Sequence, residues 1–356
     1  MLVDVHTGEL TESLNMDSQI KIVRTDLELE CPHLDQALRA LGANLVLLPD
    51  GVSEDELIGQ TRDADLLLMC YTPVTARVIA SAKRLKGVVK YGVGIDAIDI
   101  DAAKARNIPV VNIPEYAEET VAEGAFALMI ALAKKLLPMQ AAMQTKGWVW
   151  PTNRWIGSDV SGKTVGLVGV GKIGKSMARM AGLGFGARIL GYDPNVSAQD
   201  MHFAGVEKRE NLFEMLQECD FVSVHCVLNK DTWHLIGEKE LRAMKPTAML
   251  INVSRGALID ESALVLALQS GAIAGAGLDV YSKEPLNRED HPMRALFEMD
   301  NVILSPHLTF YTREAMQRLE EETLERCLEL LEGRSVTVKS KDPRLRAQES
   351  GVIFKD

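Results

Sequence analysis

Between residues 20 and 111, short apolar runs recur along the chain with stretches of helical length between them. The runs Ile20–Arg24, Asn44–Leu48, Leu66–Cys70, Gly87–Tyr91 and Pro109–Val111 predict strands, and their alternation with helices predicts βαβ units and a parallel sheet. A second series follows: Val165–Val168, Arg188–Tyr192, Phe221–Cys226, Ala248–Val253, Gly275–Val280 and Val302–Ser305. Those six runs match the strand number of a full dinucleotide-binding sheet. Between the series, Glu118–Leu137 is apolar nearly all round and predicts a single helix covered by protein on every side, a domain connector or a subunit interface. After the last strand, Met316, Leu319, Thr323, Cys327 and Leu330 fall at helical spacing within Thr312–Glu332, and Gly333 supplies the stop. Residues 334–356 show no clear pattern.

A chain of 356 residues exceeds one ordinary core and predicts two domains with a cleft between them. A net charge of −11 leaves no surplus of Lys and Arg for a phosphate backbone, which argues against a nucleic-acid partner. The five cysteines are scattered and form no C-x-x-C pair, which predicts reduced thiols, no zinc site and a reducing cytoplasm. The acidic start, MLVDVHTGELTESLNMDS, lacks the features of a secretory signal, and the most apolar segment, Val121–Ala133, is too short to cross a bilayer and carries Glu123. A membrane is therefore not an expected partner, and no metal is expected.

The strand ending at Val168 runs into Gly169-Val-Gly-Lys-Ile-Gly174, and a helix with Met177, Met180 and Leu183 on its apolar face follows until Gly184 and Gly186. Glycine spacing of this kind is weak evidence alone, but the strand before it and the helix after it supply the required context. The helix N-terminus offers unpaired N–H groups and the positive end of its dipole to a pyrophosphate. The next strand ends at Asp193, 193 − 174 = 19 positions beyond the last glycine, where a carboxylate can accept from a ribose diol. Pro194 and Asn195 bring no base for a 2′-phosphate, so NAD is preferred over NADP. Gly169, Gly171, Lys172, Ile173, Gly174, Asp193 and Pro194 are the candidate dinucleotide residues; the competing reading is a glycine turn made for packing only.

Ligands of open α/β sheets sit beyond the carboxyl ends of the strands. Three polar residues stand there: Arg255 after the strand ending at Val253, Glu284 after that ending at Val280, and His307 after that ending at Ser305. Arginine can grip a carboxylate in bidentate fashion, histidine can deliver a proton near neutral pH, and a neighbouring glutamate favours the charged imidazole. Taken singly, each has a plain alternative: a helix-end cation, a solvated loop acid and a capped turn residue. Together they predict hydride transfer between nicotinamide and C2 of a small 2-oxo or 2-hydroxy acid.

These residues and their surroundings resemble the D-isomer-specific 2-hydroxyacid dehydrogenases over residues 20–335. The resemblance rests on Lys90-Tyr-Gly-Val-Gly-Ile-Asp96, Val111-Asn-Ile-Pro114, Thr120-Val-Ala-Glu123, the glycine motif, His225-Cys-Val-Leu228 with Thr232, Ile251-Asn-Val-Ser-Arg-Gly256, Gly277-Leu-Asp-Val280 with Glu284-Pro285, and Ser305-Pro-His307. It implies that Arg255, Glu284 and His307 form the catalytic set and that Thr120, Val227, Thr232, Val253, Ser254 and Asp279 line the cofactor. The N–H groups of Val93 and Gly94 would meet the substrate carboxylate, with Tyr71 a further candidate substrate residue. It implies two doubly wound domains: a flavodoxin-like substrate domain over residues 1–118 and 308–356, into which a Rossmann NAD-binding domain over residues 119–307 is inserted. The C-terminal helix completes the first domain, and a homodimer forms around the helix at Glu118–Leu137.

Two departures bear on specificity. Val227 stands where the family pattern often has proline, and Leu308-Thr-Phe-Tyr-Thr312 follows His307 where relatives often have small glycines. Phe310 and Tyr311 either narrow the substrate pocket or pack at the hinge. Trp148, Trp150 and Trp155 form an aromatic cluster resembling a segment that in glyoxylate and hydroxypyruvate reductases reaches the partner's active site; packing at an interface is the alternative. His202, His225, His234 and His291 have no acid–base context and are read as structural or exposed. A different functional class on the same fold is an NADH-sensing corepressor or scaffold. Formate oxidation is disfavoured because that branch pairs its histidine with glutamine, whereas Glu284 is ionisable.

Overall fold

A computed structural model describes residues 20–355; the acidic start read above for its lack of a signal lies outside them. The described residues form two compact units, one running to Tyr116 and resuming at Thr312, the other spanning Ala117–Tyr311.

The first unit is built on five parallel strands, β1 (Lys21–Arg24), β2 (Asn44–Leu47), β3 (Leu66–Met69), β4 (Gly87–Lys90) and β5 (Val110–Asn112), in the order β2-β1-β3-β4-β5. This is the flavodoxin-like order. β3 reads Leu-Leu-Leu-Met with every residue buried, because a parallel sheet covered on both faces needs an unbroken apolar run rather than an alternating one. The helix Arg313–Leu331 belongs to this unit, where Glu320 accepts from the Leu34 N–H at 2.8 Å. Met316, Leu319, Thr323, Cys327 and Leu330 are all buried along it.

The tail is ordered, contrary to the patternless reading of residues 334–356. β13 (Val336–Val338) pairs in parallel with β14 (Val352–Phe354), and between them Gln348 turns its amide onto β5. Its Oε1 accepts from Val110 N at 2.7 Å, and its Nε2 donates to Val110 O at 2.9 Å. One side chain thus reproduces a strand partner on the edge strand, which would otherwise offer open backbone groups.

The second unit carries seven parallel strands: β6 (Thr164–Val168), β7 (Arg188–Tyr192), β8 (Glu207–Lys208), β9 (Phe221–Val224), β10 (Met249–Asn252), β11 (Gly275–Leu278) and β12 (Val302–Leu304), ordered β12-β11-β10-β9-β6-β7-β8. This is the Rossmann order with one strand added beyond the sixth. The six-run count in the sequence missed β8, whose two charged residues pair with Leu190 and Gly191, so the last predicted run is the seventh strand.

The helix at Glu118 is also shorter than the expected span. It ends at Ala133, Lys135 takes a left-handed conformation (φ 50°), and a second helix runs over Leu136–Lys146. Pro138 explains the break, since its ring would clash with the carbonyl four residues earlier, at Lys134. Leu183, expected on the apolar face after the glycine motif, is 84% exposed, whereas Met177 is fully buried. No helix among the described residues is long and apolar enough to cross a membrane.

Candidate active site

Three loops at the carboxyl ends of β10, β11 and β12 bring Arg255, Glu284 and His307 into one cluster. After β10, Asn252 shapes the turn by accepting from Ser254 N at 3.1 Å and donating to Arg255 O at 2.9 Å. Arg255 Nη1 donates to Ser254 O at 2.7 Å. After β12, His307 adopts φ 59°, a left-handed conformation that costs a non-glycine residue about 1–2 kcal/mol. The fully buried Asp279, at the end of β11, offsets that strain. Its Oδ1 accepts from Leu308 N at 2.9 Å, and its Oδ2 from Thr309 N at 3.0 Å and Thr309 Oγ1 at 2.6 Å. This anchoring of the histidine loop was not visible in the sequence, where Asp279 was read only as lining the cofactor.

Glu284 ties its own loop, after β11, to the β12 loop. Its Oε1 accepts from Tyr281 N at 3.0 Å, and its Oε2 lies 2.9 Å from His307 Nδ1. Burial pushes its pKa up, but the hydrogen bond and charge of His307, the Tyr281 N–H and the charge of Arg255 outweigh burial and hold it below the usual carboxylate range. The ionised carboxylate accepts only, so the hydrogen of this bond is on His307 Nδ1. Phe310 is buried with its ring edge-on to His307 at 6.4 Å, and Tyr311 stacks edge-on to Phe310 at 6.0 Å. Phe310 therefore packs against the imidazole and helps fix its plane.

Two residues of this cluster escaped the sequence reading. The Tyr281 hydroxyl donates to Ser305 O at 2.9 Å, tying the β11 loop to the β12 loop. Gly256 lies so close to the β11 loop that a Cβ there would stand 2.5 Å from Tyr281 Cα and nearer still to Tyr281 C and Ser282 N. The only sequence signal was its place directly after Arg255.

The glycine turn fits a dinucleotide. Gly169 has φ 95°, and a Cβ on it would meet Cys226 N at 2.5 Å. A Cβ on Gly174 would strike the Gly169 carbonyl, so helix and turn are in close contact there. At Gly171 nothing lies within 4 Å, the open backbone that a pyrophosphate requires. Gly171 caps the helix Lys172–Phe185, which starts with Lys172 paired to Glu118 at 2.9 Å and Ile173 half-buried. Asp193 accepts from Val170 N at 3.0 Å and from Asn195 N at 2.9 Å, one bond on each oxygen, with the exposed Pro194 beside it. Each oxygen keeps acceptor capacity for a ribose hydroxyl. Thr232 Oγ1 donates to Val227 O at 2.7 Å and accepts from Asn229 N at 2.8 Å, while Ser254 Oγ donates to Cys226 O at 2.6 Å. Val227 is 69% exposed, whereas Val253 and Thr120 are buried.

His225, read as structural or exposed, sits behind this turn with both ring nitrogens buried and without a hydrogen-bond partner. Burial pushes its pKa down to about 4. The unfolded chain binds this proton near pH 6.5 and the folded one only near 4, so its contribution to stability is complete above pH 6.5 and is lost as the pH falls toward 4. The shift corresponds to roughly 3 kcal/mol. Urea unfolding at pH 7 and pH 4 should show the wild type losing about 2–3 kcal/mol more on acidification than His225→Leu; equal losses would contradict the assignment.

In the first unit, Tyr71 is 37% and Val93 is 45% exposed, beyond the ends of β3 and β4, with Gly94 half-buried beside Val93. Asp26 fixes the β3 loop by accepting from the N–H groups of Cys70, Tyr71 and Thr72 at 2.7, 3.0 and 3.0 Å. Asn112 Nδ2 holds Val93 O at 2.6 Å. In the second unit, Trp148 and Trp150 are 71% and 75% exposed and meet edge-on at 6.2 Å, whereas Trp155 carries Arg154 over its ring at 4.9 Å. Among the described residues no group of three or more His, Cys, Asp or Glu side chains could hold a metal ion.

Residues 126–309 match the family described as D-isomer specific 2-hydroxyacid dehydrogenase, NAD binding domain. A glyoxylate reductase of Korarchaeum cryptofilum is 39% identical over 284 residues, covering 79% of this chain and 84% of the relative. A glyoxylate reductase of Thermococcus litoralis is 40% identical over 272 residues, covering 74% and 80%. Among solved structures, D-lactate dehydrogenase of Aquifex aeolicus, complexed with NAD and lactic acid, superposes with a TM-score of 0.77 at 31% identity, covering 88% of this chain and 96% of that one. The chain belongs to the D-isomer specific 2-hydroxyacid dehydrogenase family and is an NAD-dependent oxidoreductase built on its two parallel-sheet domains.

Proposed function

We propose that this enzyme reduces a small 2-oxo acid to the D-2-hydroxy acid, with His307 as the acid, Glu284 holding it and Arg255 binding the carboxylate. The observation that carries the reading is the His307–Glu284 pair at 2.9 Å, an imidazole held by an ionised carboxylate beyond the carboxyl ends of the strands. Bound NADH supplies the hydride. Arg255 grips the carboxylate with its guanidinium fork and draws electron density from the adjacent carbonyl. His307 Nε2 gives its proton to the carbonyl oxygen as charge develops there, and Glu284 steadies the imidazolium before the transfer. In the reverse direction His307 takes the hydroxyl proton.

The relatives favour glyoxylate as a substrate, since two of them carry that activity in their names. Purified protein with NADH and a panel of glyoxylate, hydroxypyruvate and pyruvate is expected to oxidise the cofactor with at least one of them; a flat absorbance trace across the panel would sink the reading. The reading extends to a homodimer, supported by the exposed apolar residues Leu136, Leu137, Met143, Trp148, Trp150 and Ile156 on and just after the second helix, which a second copy would cover. Five unpaired cysteines support a reducing cytoplasm.

Glu284→Gln keeps a group to hold His307 Nδ1 but removes the charge that favours a protonated ring. kcat for reduction should therefore fall by about 10- to 100-fold while NADH affinity stays at the wild-type value. A variant with wild-type kcat would show that Glu284 does not act through its charge.

A further inference from the structure

Among the described residues of the first unit, one buried cation has no counter-ion. Lys90, the last residue of β4, is 5% exposed. Its Nζ donates to Cys70 O, lies 3.3 Å from Cys70 Sγ and stands 5.4 Å over the Tyr71 ring. The other buried cations of the described residues are paired: Arg24 with Asp35 through two bonds of 2.9 Å, and Arg326 with Glu329 at 3.1 Å. The buried carboxylate of Asp26 is occupied by the N–H groups of the β3 loop and by two hydroxyls. A buried charge without a counter-ion is unfavourable, and an anion bound within its reach would offset part of that cost.

The position says which anion. Nζ lies directly beneath the turn after β4, 3.0 Å from where a Cβ on Gly92 would be, and Gly92 has φ 151°. Above that turn are Val93 and Gly94. The neighbouring strand presents Asn112, in register with Lys90, whose Nδ2 clamps Val93 O while its own Oδ1 is buried with no partner. We propose that Lys90 is a positioning residue that charges the Val93–Gly94 turn from below, making it an anion cradle for the carboxylate of a 2-oxo acid. Lys90 acts through the turn rather than by touching the reacting atoms. The inference rests on the function proposed above.

The test uses the full-length protein with NADH, glyoxylate and pyruvate. Lys90→Gln keeps a donor for the Cys70 carbonyl, Lys90→Met fills similar volume, and Lys90→Arg keeps the charge. The neutral variants are expected to raise KM for both acids about 10- to 100-fold, the size of a charge-assisted interaction, with kcat changed less than about 3-fold. NADH affinity, read by fluorescence titration, stays at the wild-type value, and Lys90→Arg restores most of the loss. An unchanged KM in Lys90→Gln overturns the cradle, and so does equal impairment of the Gln and Arg variants, which would mark a purely structural role. A KM increase confined to acids with a second anionic group, such as 2-oxoglutarate, would also overturn it. If the wild type turns over no 2-oxo acid, the functional reading itself fails, an outcome distinct from all of these.

Discussion

Replacing His307 with asparagine lowers kcat for 2-oxo acid reduction by about 100- to 10,000-fold, the range for loss of a positioned general acid. Asparagine is the informative substitution because of the backbone. At φ 59°, alanine would add strain to the chemical deletion, whereas asparagine tolerates the left-handed region better than most residues. It also carries an amide N–H that can face Glu284 as Nδ1 does, so the loop pinned by Asp279 should stay in place. The dinucleotide turn at Gly169–Gly174 belongs to β6 and its helix, not to the β12 loop, and NADH affinity is therefore expected to remain within about 3-fold of wild type. A stopped-flow burst experiment and a fluorescence titration check the two halves separately. Lost turnover together with lost NADH binding would show that His307 supports the fold rather than the reaction.

The second large effect comes from a residue without functional atoms. In Gly256→Ala the new methyl would overlap the backbone of Tyr281 and Ser282, groups that cannot swing aside as the end of a flexible side chain can. The β10 and β11 loops must then part, and these loops carry Arg255 and Glu284. A displacement of about 1 Å suffices to cost about 100-fold in rate, so kcat/KM should fall by at least that factor. The same separation exposes or strains the Tyr281 tie to Ser305, and unfolding should be destabilised by about 2–4 kcal/mol. Differential scanning calorimetry and steady-state kinetics read both quantities. An alanine variant with wild-type kinetics would mean that the contact between the loops is slack.

These two cases illustrate how much the sequence could disclose. The apolar runs identified eleven strands because strands such as β3, β6 and β9 are covered on both faces and are mostly apolar along their length. The glycine turn, Asp193 and the three strand-end residues were legible because each is a scarce residue type at a position set by the topology. Elements with little apolar content were not. β8 consists of Glu207 and Lys208, held in place only through its pairing with β7. β13 and β14 are three residues each, and the side chain that docks the tail is a glutamine whose partner, Val110, is 238 positions away. Periodicity also ran through Lys134–Leu137, where Pro138 rather than polarity ends the helix. Gly256, Tyr281 and the anchoring role of Asp279 depend on close approach between loops distant in sequence, and no local pattern announces such contacts.

The account centres on hydride delivery to C2 of a 2-oxo acid with His307 supplying the proton. The most direct test follows the transferred atom: incubate the protein with pyruvate and NADH carrying deuterium at both C4 positions, then analyse the lactate by chiral chromatography and mass spectrometry. The expected product is D-lactate with one deuterium, at C2, formed about 100- to 10,000-fold more slowly by His307→Asn. Cofactor oxidation without deuterium at C2, or formation of the L isomer, would contradict it.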